Sequence, residues 1–234
     1  MIDQAWTDRP PAPLAPITVQ PSEFVGVSHQ DKRAQIAARL KESGTQAALI
    51  TSPASIAWLL NIRGGDVMCS PLPLSTVVIF DDGKVDLYVH PEKIGSAVRA
   101  HLGNEVSLRK EEALPAGLDG LAGKKVWIDP STASAFMFDA LDEAGAQLHR
   151  AMDPVMLPKA CKNAAEIAGT EAAHLRDGVA LARYLHWLAT EAQSGEYDEI
   201  NAAQKLEEFR SAYDGLKDLS FETISDRKST RLNS

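Results

Sequence analysis

Residues Lys159–Leu188 read KACKNAAEIAGTEAAHLRDGVALARYLHWL. Ile167, Ala168, Ala172, Leu175, Val179, Ala182, Leu185 and Leu188 recur at helical spacing, with Glu171, Arg176, Asp177 and Arg183 set between them. That pattern predicts one amphipathic helix laid on a core. Asn163 is placed to cap its start, and Glu166, three residues on, is placed to close a capping box. The helix comes late and little follows it, so most of the core it is built to cover is expected to lie outside this chain.

Working back from that helix, Asp153-Pro154 to Pro158 reads as a boundary. Upstream, Ser28 is suited to cap a helix running to Ser43 through Ile36, Ala37 and Leu40, with Gly44 ending it. Ala47–Ile50 reads as a buried strand and Ser55–Ile62 as a short apolar helix. Thr76–Phe80 and Val85–Val89 read as a hairpin across Asp81-Asp82-Gly83-Lys84. A helix over Ile94–Leu102, a strand over Lys125–Ile128, a helix over Thr132–Ala144 stopped by Gly145, and a strand over Gln147–Arg150 complete the series. Alternating helices and strands of this kind predict an α/β domain with a mixed sheet and flanking helices, spanning residues 26–155. Residues 1–25 are proline-rich and read as an extended linker. Downstream of the long helix, Asp198–Tyr213 (Ile200, Ala203, Leu206, Phe209) predicts a second helix. Leu219–Ile224 reads as the first strand of a further sheet.

The formal net charge of -8 argues against nucleic acid as a partner, because phosphate binding rests on clustered Lys and Arg. No apolar run reaches the roughly 20 residues that span a bilayer, so no membrane is expected. The first residues, MIDQAWTDRPPAP, lack the basic and apolar regions of a signal peptide. Cys69 and Cys161 stand far apart and read as structural thiols of a reducing cytoplasm.

Candidate chemistry is sparse. His174 and His186 share the long helix with Asp177, but twelve residues place the two histidines about 120° apart around its axis. His174 and Asp177 can pair at i, i+3, yet no third metal ligand stands near them, and surface or interdomain hydrogen bonding is the expected role. Glu207-Glu208 with Glu199 reads as a solvated helix face. No G-x-S-x-G run occurs, and Cys161 has no evident base. Gly64-Gly65 lies in an IRGGD loop without G-x-G-x-x-G spacing.

Several stretches together resemble the long, three-domain form of aminopeptidase P, the Xaa-Pro aminopeptidases of the pita-bread metallopeptidases. WTDRPPAP resembles the segment between that family's first and second domains, and Ser55–Val67 (SIAWLLNIRGGDV) resembles its middle-domain signature. Lys159–Leu188 resembles the helix that opens the catalytic domain, while KLEEFR and LSFETIS resemble its next helix and first strand. The resemblance implies a creatinase-like middle domain followed by the first helices and strand of an incomplete pita-bread domain over residues 159–225. It implies a cytoplasmic, homodimeric parent that removes the N-terminal residue from peptides with proline second. That parent would use two divalent ions, usually manganese, held by two Asp, one His and two Glu. Those ligands are expected downstream of this chain, so the chain alone is expected to be inactive and to bind no metal.

Within the chain, Phe221 matches the aromatic position that lines the pocket for the substrate's N-terminal side chain. An ordinary core phenylalanine is the alternative. Arg63 and Asp66 lie in the loop that faces the family's active-site region, as substrate-side or interdomain residues, or else as a buried pair holding the loop. Asp226–Ser234 (DRKSTRLNS) reads as the translation of a sequencing adapter rather than as protein, against the alternative of a natural basic tail. Two rival functions stand beside the enzyme: a non-catalytic creatinase or pita-bread-like binding module, and a plain α/β interaction domain.

Overall fold

The computed structural model describes residue 6 and residues 8–223. Two units divide at Lys162/Asn163. In the first, six strands line up in the order β6-β5-β4-β2-β7-β8. These are β2 (Ala47–Ile50), β4 (Thr76–Phe80), β5 (Val85–Tyr88), β6 (Val106–Arg109), β7 (Lys125–Ile128) and β8 (Gln147–Arg150). β4 runs antiparallel to both neighbours, while β2/β7, β5/β6 and β7/β8 pair in parallel. The mixed sheet is therefore as the sequence predicts, with β4 its one reversed member.

Side-chain alternation along the strands splits the interior into two cores. Ala48, Ile50, Val77, Ile79, Val85 and Leu87 face one way and Ala47, Leu49, Val78, Tyr88, Val126 and Ile128 the other. Helices α2 (His29–Glu42), α3 (Pro53–Leu60) and α4 (Ser96–Leu102) supply Ile36, Leu40, Ile56, Leu59, Leu60, Val98 and Leu102 to the first core. On the second face, α5 (Leu114–Asp119) and α6 (Ala135–Glu143) supply Leu118 and Leu141. This is a three-layer arrangement, and each short apolar run of sequence lies sandwiched between helices.

Local signals set the helix ends. Ser28 Oγ accepts from the Asp31 N–H at 3.0 Å at the start of α2. α3 begins two residues before the expected Ser55, at Pro53, whose missing N–H suits a first turn, and ends at Leu60 rather than Ile62, which belongs to the two-residue strand Ile62–Arg63. The helix is capped by Asn61, held in the left-handed region at φ 52°. The Asn61 amide is held at both ends: Lys32 Nζ donates to Oδ1 at 2.8 Å and Nδ2 donates to the Val27 carbonyl at 2.9 Å. α4 starts at Ser96 rather than Ile94, after a 3₁₀ turn over Pro91–Lys93, and α6 starts at Ala135 rather than Thr132.

The stretch read as an extended linker contributes to the domain at its far end. β1 (Thr18–Val19) pairs antiparallel with β3 (Ile62–Arg63), Ile17 is buried, and α1 (Ser22–Val25) follows. α7 (Met156–Ala160) closes the unit.

The second unit holds α8 (Ala164–Thr190) and α9 (Glu199–Ser211). Both bonds of the expected capping box form at the start of α8. The Glu166 N–H donates to Asn163 Oδ1 at 3.0 Å, and Glu166 Oε2 accepts from the Asn163 N–H at 3.0 Å. Trp187 is the buried centre of this unit, edge-on to Tyr197 at 4.9 Å. Arg210 on α9 grips Asp177 on α8, Nε to Oδ1 at 2.6 Å. Residues 219–223 lie outside helices and strands, contrary to the expected strand, and Ile224 lies outside the described residues. A strand needs a neighbour to pair with, and among the described residues none is offered to this run.

Candidate functional site

The IRGGD loop is the best-defined polar construction in the first unit. Arg63 leaves β3 with its guanidinium turned inward, Nη1 donating to the Ile62 carbonyl at 2.8 Å and to Ala57 at 3.1 Å. Gly64 packs so closely that an added Cβ would stand 2.8 Å from Pro73 Cα, which explains why the loop needs glycine there. Asp66 then turns into the interior, its side chain fully buried. Its Oδ1 accepts from the Ala15 N–H at 3.1 Å, and its Oδ2 from the Leu74 N–H at 2.8 Å. The cation beside it is Lys93, 2.9 Å away and 3% exposed, which also donates to the Leu74 carbonyl at 3.1 Å. The Ile17 N–H in turn donates to the Lys93 carbonyl.

One carboxylate thus joins three chain segments: the approach to β1, the loop ending at Ser75, and the 3₁₀ turn after β5. With three donors it meets the condition for a buried charge, which must be both paired and hydrogen-bonded. Lys93 carries no sequence signal, since it sits 27 residues from Asp66 and nothing local marks it as buried. Beyond Asp66 the chain turns at Val67–Ser70, with Cys69 in the left-handed region at φ 55° and Met68 80% exposed.

In the second unit, α8 presents Leu175 (73% exposed), Leu185 (57%), Ile167 (46%) and Val179 (40%) to solvent. Of these, Leu175 and Val179 line, with Ala182 and with Phe209 of α9, a shallow groove of about 650 Å³. His174 and His186 also line the groove. His174 Nδ1 is engaged with the Thr170 carbonyl at 2.8 Å, the surface hydrogen bonding expected of it, and Asp177 belongs to Arg210. Phe221 is 68% exposed and outside any helix or strand, so it is neither core nor strand residue here.

The described residues do not fit a metal centre: none of them group three or more His, Cys, Asp or Glu side chains close enough to hold an ion. Among them, too, no helix is long and apolar enough to cross a membrane.

Comparison with known proteins accounts for both units. The model of the creatinase/prolidase N-terminal domain family matches residues 8–166. The chain is 34% identical over 236 residues to a probable Xaa-Pro aminopeptidase P of Talaromyces stipitatus, covering 96% of this chain and 36% of that protein. A probable Xaa-Pro aminopeptidase P of Leptosphaeria maculans is 34% identical over 237 residues, with 96% and 39% covered. The crystal structure of X-prolyl aminopeptidase from Caenorhabditis elegans, a cytosolic enzyme with a di-nuclear active site, superposes with a TM-score of 0.87 at 30% identity. That likeness covers 96% of this chain and 38% of the nematode protein. An Xaa-Pro dipeptidase from Bacillus anthracis shares the fold at a TM-score of 0.57 and 20% identity, over 79% of this chain and 49% of that one. The chain spans a little over a third of the length of the aminopeptidase P relatives. On the matched residues 8–166, the chain belongs to the creatinase/prolidase N-terminal domain family, and its relatives include Xaa-Pro aminopeptidase P.

Proposed function

We propose that this chain is the creatinase-like middle domain and opening helices of a metal-dependent Xaa-Pro aminopeptidase. Such an enzyme removes the N-terminal residue from peptides carrying proline second. The observation that carries this reading is that likeness to the nematode X-prolyl aminopeptidase extends over 96% of the chain, through α8 and α9 as well as the sheet. The di-nuclear active site of that relative supports two divalent ions in the parent, manganese being the ion the resemblance implies. In this reading the ligands, two Asp, one His and two Glu, come from residues other than those described here, and the chain alone does not hydrolyse peptides. The parent is a cytoplasmic homodimer, a location in keeping with the cytosolic relative.

The three residues singled out from sequence take different parts. Asp66 is fully buried with three donors, so it serves the substrate side only by fixing its loop. Arg63 does the same through the carbonyls of Ala57 and Ile62. Phe221, whose ring is open to contact, lines the pocket for the substrate's first side chain, where an aromatic wall accepts varied side chains by area and shape.

The test is to read the source DNA past the codon for Ser225 and to assay both products with a proline-second peptide and manganese. Two Asp, one His and two Glu in the extended frame, with hydrolysis by the longer product only, are the expected result. An extended frame without those ligands would transfer the assignment to the non-catalytic binding module.

A further inference from the structure

Residues 151–155, leaving the end of β8, are tied back onto the first unit along their whole length. The Trp127 indole N–H is shared between the carbonyls of Met152 (3.0 Å) and Ala151 (3.3 Å). Asp129 Oδ2 accepts from the Asp153 N–H at 2.7 Å, and Arg39 Nη1 donates to the Pro154 carbonyl at 3.1 Å. Val155 is fully buried in the core on the α2–α3 face.

Two carboxyls in unlike surroundings adjoin this strap. Burial acts to raise the Asp129 carboxyl, but the Ser131 hydroxyl (2.7 Å), the Asp153 N–H and the Ser131 N–H outweigh it and hold it below the usual range. Asp153 is the opposite case. It is 3% exposed, and its Oδ1 takes the Val155 N–H at 2.8 Å. Its Oδ2 has no hydrogen-bond partner, and neither has the buried Ser55 hydroxyl of α3 that acts on it. Burial pushes the Asp153 carboxyl up, and the charge on Asp129 adds to the push. Ser55, the Val155 N–H and Lys159 of α7 offset it only in part.

We propose that Asp153 is a proton-operated latch on the exit of this domain. When its carboxyl carries a proton the strap 151–155 lies closed. When it ionises, an incompletely compensated charge is left among Ser55, Asp129 and Lys159, and the strap loosens ahead of α7. The inference is independent of the proposed peptidase function.

A carboxyl raised on folding contributes stability that is full below its ordinary value and lost as pH rises through the raised one. The latch therefore tightens on acidification. Buried His29 acts in the opposite direction over an overlapping range, so a local readout is needed. Amide hydrogen exchange at Val155 and Asp153 in the whole chain, corrected for intrinsic rates, supplies it. The expected result is protection rising several-fold between pH 7.5 and 4.5 in the parent and no such rise in Asp153→Asn, which should be protected throughout. Asp129→Asn, which removes the neighbouring charge, should move the transition to lower pH. Unchanging protection in the parent, a persisting rise in Asp153→Asn, or an unmoved transition in Asp129→Asn would each overturn the proposal. The last variant decides the matter even if the first does not fold.

Discussion

Replacing Lys93 with methionine is expected to destabilise the first unit by about 3–5 kcal/mol, the usual cost of removing one partner of a buried ion pair. The geometry places this pair at the costly end. The Lys93 side chain is 3% exposed, the Asp66 side chain is fully buried, and Nζ stands 2.9 Å from Oδ2. Methionine keeps the length and apolar stem of lysine, so the loss is one of charge and hydrogen bonds rather than of volume. Asp66 would retain the N–H groups of Ala15 and Leu74 while losing its cation, and the Leu74 carbonyl would lose a donor. Against a total stability of about 5–15 kcal/mol for a domain, that is a large fraction.

The double variant Lys93→Met/Asp66→Asn removes both charges and should cost clearly less than the sum of the two single changes. Urea titration of the four proteins measures this, with the slope expected to stay constant while the midpoint moves. A Lys93→Met protein that loses under about 1 kcal/mol, or a double variant that is strictly additive, would refute the claim that this pair holds the loop.

Two further outcomes follow from burial and exposure. His29 is 1% exposed, and burial, with the nearby His101 and Arg33, lowers it from 6.5 to about 4. A base lowered on folding loses stability as pH falls from its ordinary value toward the lowered one. The first unit should therefore weaken by about 3 kcal/mol between pH 6.5 and 4, since each pH unit in that interval costs about 1.36 kcal/mol. Urea midpoints across that range should follow the trend, and His29→Gln should flatten it. Leu175 is 73% exposed on α8, so Leu175→Glu should change melting by no more than about 0.5 kcal/mol while reducing light scattering at high concentration. A loss of about 2 kcal/mol or more would mean that this face is covered.

What the sequence determined by itself is whatever a few neighbouring residues decide. Ser28, the Asn163–Glu166 box and the turn at Asp81–Lys84 act within one helical turn or one hairpin, and each stands where its chemistry requires. The apolar runs Ala47–Ile50, Thr76–Phe80 and Lys125–Ile128 are legible for the same reason, because burial on one or both sides of a sheet leaves its mark residue by residue. β6 and α5 leave no such mark, because a half-buried edge strand and a one-and-a-half-turn helix carry too few apolar positions to show a period. The tertiary structure alone decided the strand order, the pairing of β1 with β3, and the burial of Lys32, Lys93 and Asp66. A lysine is written the same way whether it faces water or a carboxylate 27 residues away. Only the closing of the chain on itself brings the two charges together and removes the solvent between them.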